Sequence, residues 1–208
     1  MIELFTADTP NGKKISIMLE EIKYDYKVSK INIFKDEQFT PEFKKISPFS
    51  KIPVIKDHKK NISIFESGAI LMYLGEQSGK LYDQEKKTII NQWLIGQVSY
   101  IGPMLGQHHQ FHHYNSGKSE FGEDRYFKIC TRIYKELNER LSETEYLAGN
   151  FYSIADIATF PWIARHEWHD IGLKKYKNLT RWYELVSKRE AVQKGYDLLE
   201  KGEKIPSA

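Results

Sequence analysis

Two spacings of apolar positions alternate through the first eighty residues, and one of them fills the rest of the chain. Ile2-Glu3-Leu4-Phe5 is a short apolar run with one acid and predicts a strand. Thr9-Pro10-Asn11-Gly12 is a dense turn signal. Ile15, Met18, Leu19 and Ile22 then fall on one helical stripe, which predicts a helix over 13–22. Tyr24, Tyr26 and Val28 alternate with polar residues, and Ile31 and Ile33 continue on the other parity, so a second strand is expected over 24–33. Pro41 opens a short helix around Phe43 and Ile46, closed by Ser47-Pro48. Ile52-Pro53-Val54-Ile55 predicts a third strand, 61–65 a fourth, and the polar residues 57–60 a hairpin loop between them. A helix follows over 67–77, with Ile70, Leu71 and Leu74 on one face and Ser67 placed to cap it. The order β-α-β-α-β-β-α requires a mixed sheet, because the βαβ half gives parallel neighbours and the hairpin an antiparallel pair.

Beyond Glu85 only the helical period remains. Helices are expected over 86–114, 123–142, 154–171, 179–188 and 190–200, with breaks near Gly117 and Gly149. Ser153-Ile154-Ala155-Asp156 has the form of a capping box, a serine followed three residues on by an acid. The chain therefore divides into an α+β domain over 1–80 and an all-helical domain over 85–208.

Composition narrows the class. Of 208 residues, 40% are apolar and 13% aromatic, enough to fill a core. The net charge is +3. It is spread evenly, with 13 lysines against 11 acids in residues 1–80 and 18 basic against 17 acidic residues in the remainder. Neither part has the basic excess of a nucleic-acid binder. No run reaches the 18 apolar residues of a membrane span, and the first residues lack the basic-then-apolar form of a signal peptide. Cys130 is the one cysteine, so no disulfide framework, Cys-x-x-Cys motif or cysteine-rich zinc site is available. A cytoplasmic location is expected.

Three segments carry candidate chemistry. In Ser47-Pro48-Phe49-Ser50-Lys51-Ile52-Pro53-Val54 a proline stands at the head of a strand, where main-chain groups are free to pair with an extended peptide. Phe65-Glu66-Ser67-Gly68 lies where a strand hands over to a helix. A helix N-terminus there favours a carboxylate, and Glu66 beside it favours an ammonium group, so the pair suits an α-amino acid head. Thr9-Pro10-Asn11-Gly12 offers a hydroxyl and an amide in the turn after the first strand. Taken singly, each also fits an edge-strand proline, a capping serine or a simple N-cap turn.

In combination, Lys51-Ile52-Pro53-Val54, then Glu66-Ser67-Gly68-Ala69-Ile70, then a helical domain with the Ser153–Asp156 box resembles the cytosolic glutathione transferase family over nearly the whole chain. Thr9-Pro10-Asn11-Gly12-Lys13-Lys14, Gln38-Phe39-Thr40-Pro41-Glu42-Phe43, Ile46-Ser47-Pro48 and Gly102-Pro103-Met104-Leu105-Gly106-Gln107 make it most similar to the bacterial Nu-class members, which are glutathione-dependent disulfide-bond oxidoreductases. The resemblance implies a thioredoxin-like first domain, a homodimer, and glutathione as co-substrate with no metal. It implies that Thr9 and Asn11 face the glutathione sulfur. It implies that Gln38, Lys51, the main chain of Ile52, Pro53, Glu66 and Ser67 hold the tripeptide, with Arg132 assisting across the dimer. The second substrate would be a small disulfide, with weak activity on hydroperoxides. Conjugation of glutathione to apolar electrophiles and a non-catalytic binding scaffold are the rival readings. Where the Nu class usually has two asparagines, this chain has Phe49 and Ser50. Phe5 occupies the place where other classes carry a tyrosine hydroxyl. His108, His109, His112 and His113 form two i, i+4 pairs. No cysteine or nearby carboxylate completes a metal set, and cleft-lining or solvated histidines are expected instead.

Overall fold

A computed structural model describes all residues, 1–208. In chain order its elements are β1 (Ile2–Thr6), α1 (Pro10–Ile22), β2 (Tyr26–Lys30), α2 (Pro41–Lys44), β3 (Val54–Asp57), β4 (Ile62–Phe65), α3 (Ser67–Ser78), α4 (Lys87–Gly96), α5 (Gly102–His108), α6 (Glu120–Glu143), α7 (Ile154–Ile163), α8 (His166–His169), α9 (Lys177–Ser187) and α10 (Glu190–Tyr196). They form two compact units. One is Met1–Asp83 with Arg189–Lys204, and the other is Gln84–Lys188 with Ile205–Ala208. No helix is long and apolar enough to cross a membrane.

The first unit is a four-stranded mixed sheet in the order β2-β1-β3-β4. β1 runs parallel to β2 and antiparallel to β3, and β3 and β4 form the hairpin. This is the mixed sheet that the element order requires, in the α+β, thioredoxin-like arrangement that the resemblance implies. Leu4, Ile15, Met18, Leu19, Val54, Ile55, Ile70, Leu71 and Leu74 are fully buried and make its core. Strand β2 is shorter than the alternation of 24–33 suggests. Asn32 accepts a hydrogen bond from the Phe34 amide and starts a 3-10 turn over Ile33–Lys35, which ends the strand where the parity of apolar positions changes.

Gly12 through Leu19 are all buried, on every face of α1. A helix resting on a sheet buries one stripe, so something must cover the other face. Segment 189–204, which the sequence pattern groups with the rest of residues 85–208, does so. A side chain on Gly195 would bring its Cβ to 2.5 Å from Ile17 Cα, so the backbones of α10 and α1 lie in direct contact. The Ser16 hydroxyl donates to Gly195 O at 2.5 Å. Arg189 forks onto the Glu21 carboxylate at 2.6 and 2.9 Å. Lys13 Nζ donates to Tyr196 O at 2.8 Å and pairs with Asp8 at 3.1 Å and with Glu203.

In the second unit the expected helix 86–114 is continuous in path but not uniform. Wide π-type turns over Gln97–Ile101 and His109–Tyr114 flank α5. The expected helix 154–171 is broken between α7 and α8 at Ala164-Arg165. Helix α7 starts with the predicted capping box. Asp156, wholly buried, accepts four hydrogen bonds. They come from Ser153 N at 3.0 Å, Ser153 Oγ at 3.1 Å, Leu147 N at 3.0 Å and Trp182 Nε1 at 2.9 Å. Burial pushes its carboxyl up to about 6, and the four donors oppose a larger rise.

Two of the four histidines of 108–113 depart from the solvated reading. His108 is fully buried and His109 is 7% exposed, so they are not solvated. His109 stacks on His169 at 4.9 Å and His108 on His112 at 4.7 Å. His108 Nε2 bonds to His169 O at 3.0 Å, and Tyr134 OH to His169 Nδ1 at 2.6 Å. Burial drives His109 down to about 3 and lowers His108 and His169 as well, so all three rings are neutral near pH 7. No cluster of three or more His, Cys, Asp or Glu side chains is placed to hold a metal ion.

Candidate glutathione site

Three chain segments of the first unit converge on one cleft of about 140 Å³. It is lined by Asn11 from the first turn of α1, by Ser47, Phe49, Lys51, Ile52 and Pro53 from the loop before β3, and by Phe65, Glu66 and Ser67 from the β4–α3 junction. Six of the nine predicted site residues meet there: Asn11, Lys51, Ile52, Pro53, Glu66 and Ser67.

The proline loop is built by Ser47. Its hydroxyl donates to Lys51 O at 2.7 Å and accepts from Lys51 N at 3.0 Å, while Ser50 N donates to Ser47 O at 2.9 Å. The Ile52–Pro53 peptide bond is cis. Phe49 and Ser50 follow Ser47-Pro48 in this loop. Phe49 is 68% exposed on the rim and sets its ring edge-on to Phe65 at 6.1 Å. The pairing of Phe49 with Phe65 is not visible in the sequence.

The β4–α3 junction differs from the expected cap. Ser67 is the first residue of α3, and Glu66 is the N-cap, at φ 69° and ψ 116°. That is a left-handed conformation for a residue with a Cβ, and such positions cost of order 1–3 kcal/mol and cluster at ligand sites. No side chain caps α3. The first-turn amides and the partial positive charge of a 12-residue helix are therefore left for an anion at the cleft wall. The Glu66 carboxylate is exposed beside them.

Thr9 lies outside the cleft lining but only two residues from Asn11. It is the N-cap of α1. Its Oγ1 accepts from Gly12 N at 3.1 Å, and its own proton reaches Ala7 O only at 3.5 Å. A hydroxyl that accepts a good hydrogen bond and donates a long one retains a usable donor. Gln38 is half-buried after β2. Its Nε2 donates to Ile33 O at 3.4 Å, and its Oε1 is buried without a partner. Arg132 is exposed on α6 of the second unit. The lone thiol, Cys130, is fully buried and pushed up to about 12 by burial, so it is no nucleophile.

Lys14 stands in the Thr9–Lys14 motif, but the sequence reading gives it no role. Its position, four residues before Met18, extends the apolar stripe of α1, and a lysine on that stripe is the signal that was there to find. It is 1% exposed, and its Nζ donates to Ser67 Oγ at 3.3 Å.

Comparison with known proteins places this geometry. Residues 2–76 match the family model of the glutathione S-transferase N-terminal domain, and residues 108–190 that of the glutathione S-transferase C-terminal domain. Disulfide-bond oxidoreductase YfcG of Escherichia coli K12 is 42% identical over 198 residues, covering 92% of each chain. Disulfide-bond oxidoreductase YghU of the same organism is 34% identical, covering 93% of this chain and 73% of that one. Among solved structures, a glutathione transferase from Burkholderia graminis with two glutathione molecules bound per subunit superposes with a TM-score of 0.90. It is 35% identical and is matched over 97% of this chain and 89% of its own. A Pseudomonas putida glutathione transferase with one glutathione disulfide bound per subunit gives a TM-score of 0.87 at 37% identity, over 95% and 91% of the two chains. On the two domain models and on a relative 42% identical over nearly its full length, this chain belongs to the glutathione S-transferase family.

Proposed function

We propose that the protein is a glutathione-dependent disulfide reductase of the cytoplasm, acting as a homodimer. The observation that carries this reading is the cleft that gathers Asn11, Lys51, Ile52, Pro53, Glu66 and Ser67 beside a helix start that no side chain caps. Relatives that share the sequence along most of its length are named disulfide-bond oxidoreductases, and relatives of the same fold hold glutathione or its disulfide.

In this reading the γ-glutamyl head of glutathione lies at α3. Its α-carboxylate takes the amide and hydroxyl of Ser67, and its ammonium takes the Glu66 carboxylate. The proline loop offers the Ile52 main chain to the cysteinyl backbone, as one strand pairs with another. Lys51 and Gln38 supply polar contacts to the rest of the tripeptide, with Arg132 assisting across the dimer. The sulfur falls between Thr9 and Asn11.

Chemistry then needs a thiolate. A thiol of pKa about 8.5 is only a few per cent ionised at pH 7, and bringing it to about 6.5 takes about 2.7 kcal/mol. A hydrogen bond to an ion contributes about 1.5–3 kcal/mol and a helix N-terminus about 0.3–1 kcal/mol. The Thr9 hydroxyl at the head of α1 covers that sum, with no protein cysteine involved. The bound thiolate attacks one sulfur of the substrate disulfide. One S–S bond forms, the old one breaks, and the departing thiolate takes a proton from water. A second glutathione thiolate attacks the mixed disulfide at the glutathione sulfur, releasing oxidised glutathione and the second substrate thiol.

The test is reduction of 2-hydroxyethyl disulfide by glutathione, followed through a coupled glutathione reductase. A rate well above the uncatalysed exchange is expected, and a rate equal to it overturns the reading in favour of conjugation or a binding scaffold. In the same assay Glu66→Gln is expected to raise the KM for glutathione about fivefold, the worth of about 1 kcal/mol for an exposed ion pair, with kcat changed less than about twofold. An unchanged KM would remove Glu66 from the γ-glutamyl contact.

A further inference from the structure

Resting on the glutathione reading above, we propose that Lys14 is a positioning residue of the γ-glutamyl subsite, holding the Ser67 hydroxyl from beneath and supplying the buried positive charge against which a substrate carboxylate docks at the head of α3. Lys14 rises from the second turn of α1, is 1% exposed, and donates from Nζ to Ser67 Oγ at 3.3 Å. Burying an ammonium is unfavourable unless an anion compensates, and a methionine of similar length fills the same volume without that penalty. Lys13, its neighbour on α1, is equally buried and pairs with Asp8 and Glu203, on the side facing Tyr196. From α3, Lys14 is faced by the Ser67 hydroxyl and by the charge of Glu66, whose carboxylate is exposed on the cleft wall. A carboxylate bound at Ser67 places a second anion next to Nζ.

Lys14 and the ligand are therefore linked through a proton. In the free protein burial brings the ammonium down to about 7, against an upward pull from Glu66. A bound carboxylate favours the charged form and raises that value. Binding then takes up a proton above pH 7, and affinity is full at pH 6 and falls as the pH rises towards 8.

Calorimetric titration of the whole protein with S-methylglutathione, which has no thiol to ionise, tests this. Titrations run between pH 6 and 8 in buffers of different ionisation enthalpy. The wild type is expected to bind with proton uptake at pH 7–8. Lys14→Met is expected to bind at least about tenfold more weakly at pH 6.5, with no proton uptake and no fall in affinity towards pH 8. It should melt at or above the wild-type temperature, because a buried charge has gone. Lys14→Arg, which keeps the charge but does not titrate in this range, is expected to recover affinity with a flat pH profile. If the wild type binds and Lys14→Met binds equally well with the same pH profile, the role of Lys14 is overturned while the glutathione site stands. If the wild type does not bind at all, the glutathione reading falls and the inference with it.

Discussion

Thr9→Val raises the pH midpoint of disulfide reduction, measured at saturating glutathione, by about one to two pH units, the worth of a hydrogen bond to an ion. The hydroxyl of Thr9 accepts from Gly12 N at 3.1 Å and holds its own proton only loosely against Ala7 O at 3.5 Å. That proton is the one donor the first turn of α1 offers from a hydroxyl. Without it the glutathione thiol ionises later. At pH 7 the rate then falls by about three- to tenfold rather than in full proportion to the lost thiolate, because a more basic thiolate is also a better nucleophile. At pH 9 the two enzymes draw level. Loss of the helix cap alone does not produce this pattern, since a weakened cap lowers stability and leaves the midpoint in place. Thr9→Ser is expected to keep the wild-type midpoint. A valine variant with an unshifted midpoint removes Thr9 from the chemistry.

The largest expected effect on stability is remote from the cleft. Asp156→Ala leaves four buried donors without their acceptor, and each unsatisfied group costs about 1–3 kcal/mol before relaxation. A net loss of about 3–5 kcal/mol follows, which lowers the melting temperature of a chain this long by about 10 °C. Asp156→Asn retains one acceptor and loses less. The pH dependence has a definite sign. The native carboxyl stands near 6 and its unfolded counterpart near 3.8, so the native state binds the extra proton between those values. Stability from this group falls as the pH rises from 4 to 6 and is constant above. The wild type should gain on Asp156→Asn as the pH is lowered from 6 towards 4, as read by thermal melts of the two proteins side by side. A melting difference that is small, or that shrinks on acidification, removes Asp156 as the organiser of α7.

Both predictions begin from features legible in the sequence. Residues 9–12 announce a turn, and Ser153 with Asp156 announces a capping box, because both depend on neighbours within four positions. The order of elements along the chain and the proline loop were legible from local pattern as well. What stayed hidden depends on distant parts of the chain. No local pattern distinguishes 190–200 from the other helices, and only its contacts with distant α1 assign it to the first unit. The N-cap of α3 was misplaced by one residue because serine outranks glutamate as a cap in general, while here Glu66 adopts a conformation that side-chain preference does not report. His108 and His109 read as polar in any one-dimensional pattern, yet their rings are neutral and stacked once buried. Lys14 was hidden by its charge, which every hydropathy pattern counts as outward-facing.

The path of residues 189–204 fixes an order of events during synthesis. Helix α1 carries Asn11 and Lys14, and its outer face is covered by a segment encoded about a hundred residues after the sheet is complete. At about 5–20 residues per second, a ribosome finishes the strands and then works for on the order of ten seconds before that cover emerges. Through this interval the face of α1 around Ser16 and Ile17 stands open on the nascent chain, offered to whatever apolar surface is near, including the same segment of a neighbouring nascent copy. The packing around α1 is therefore completed by a stretch made long after the sheet it rests on.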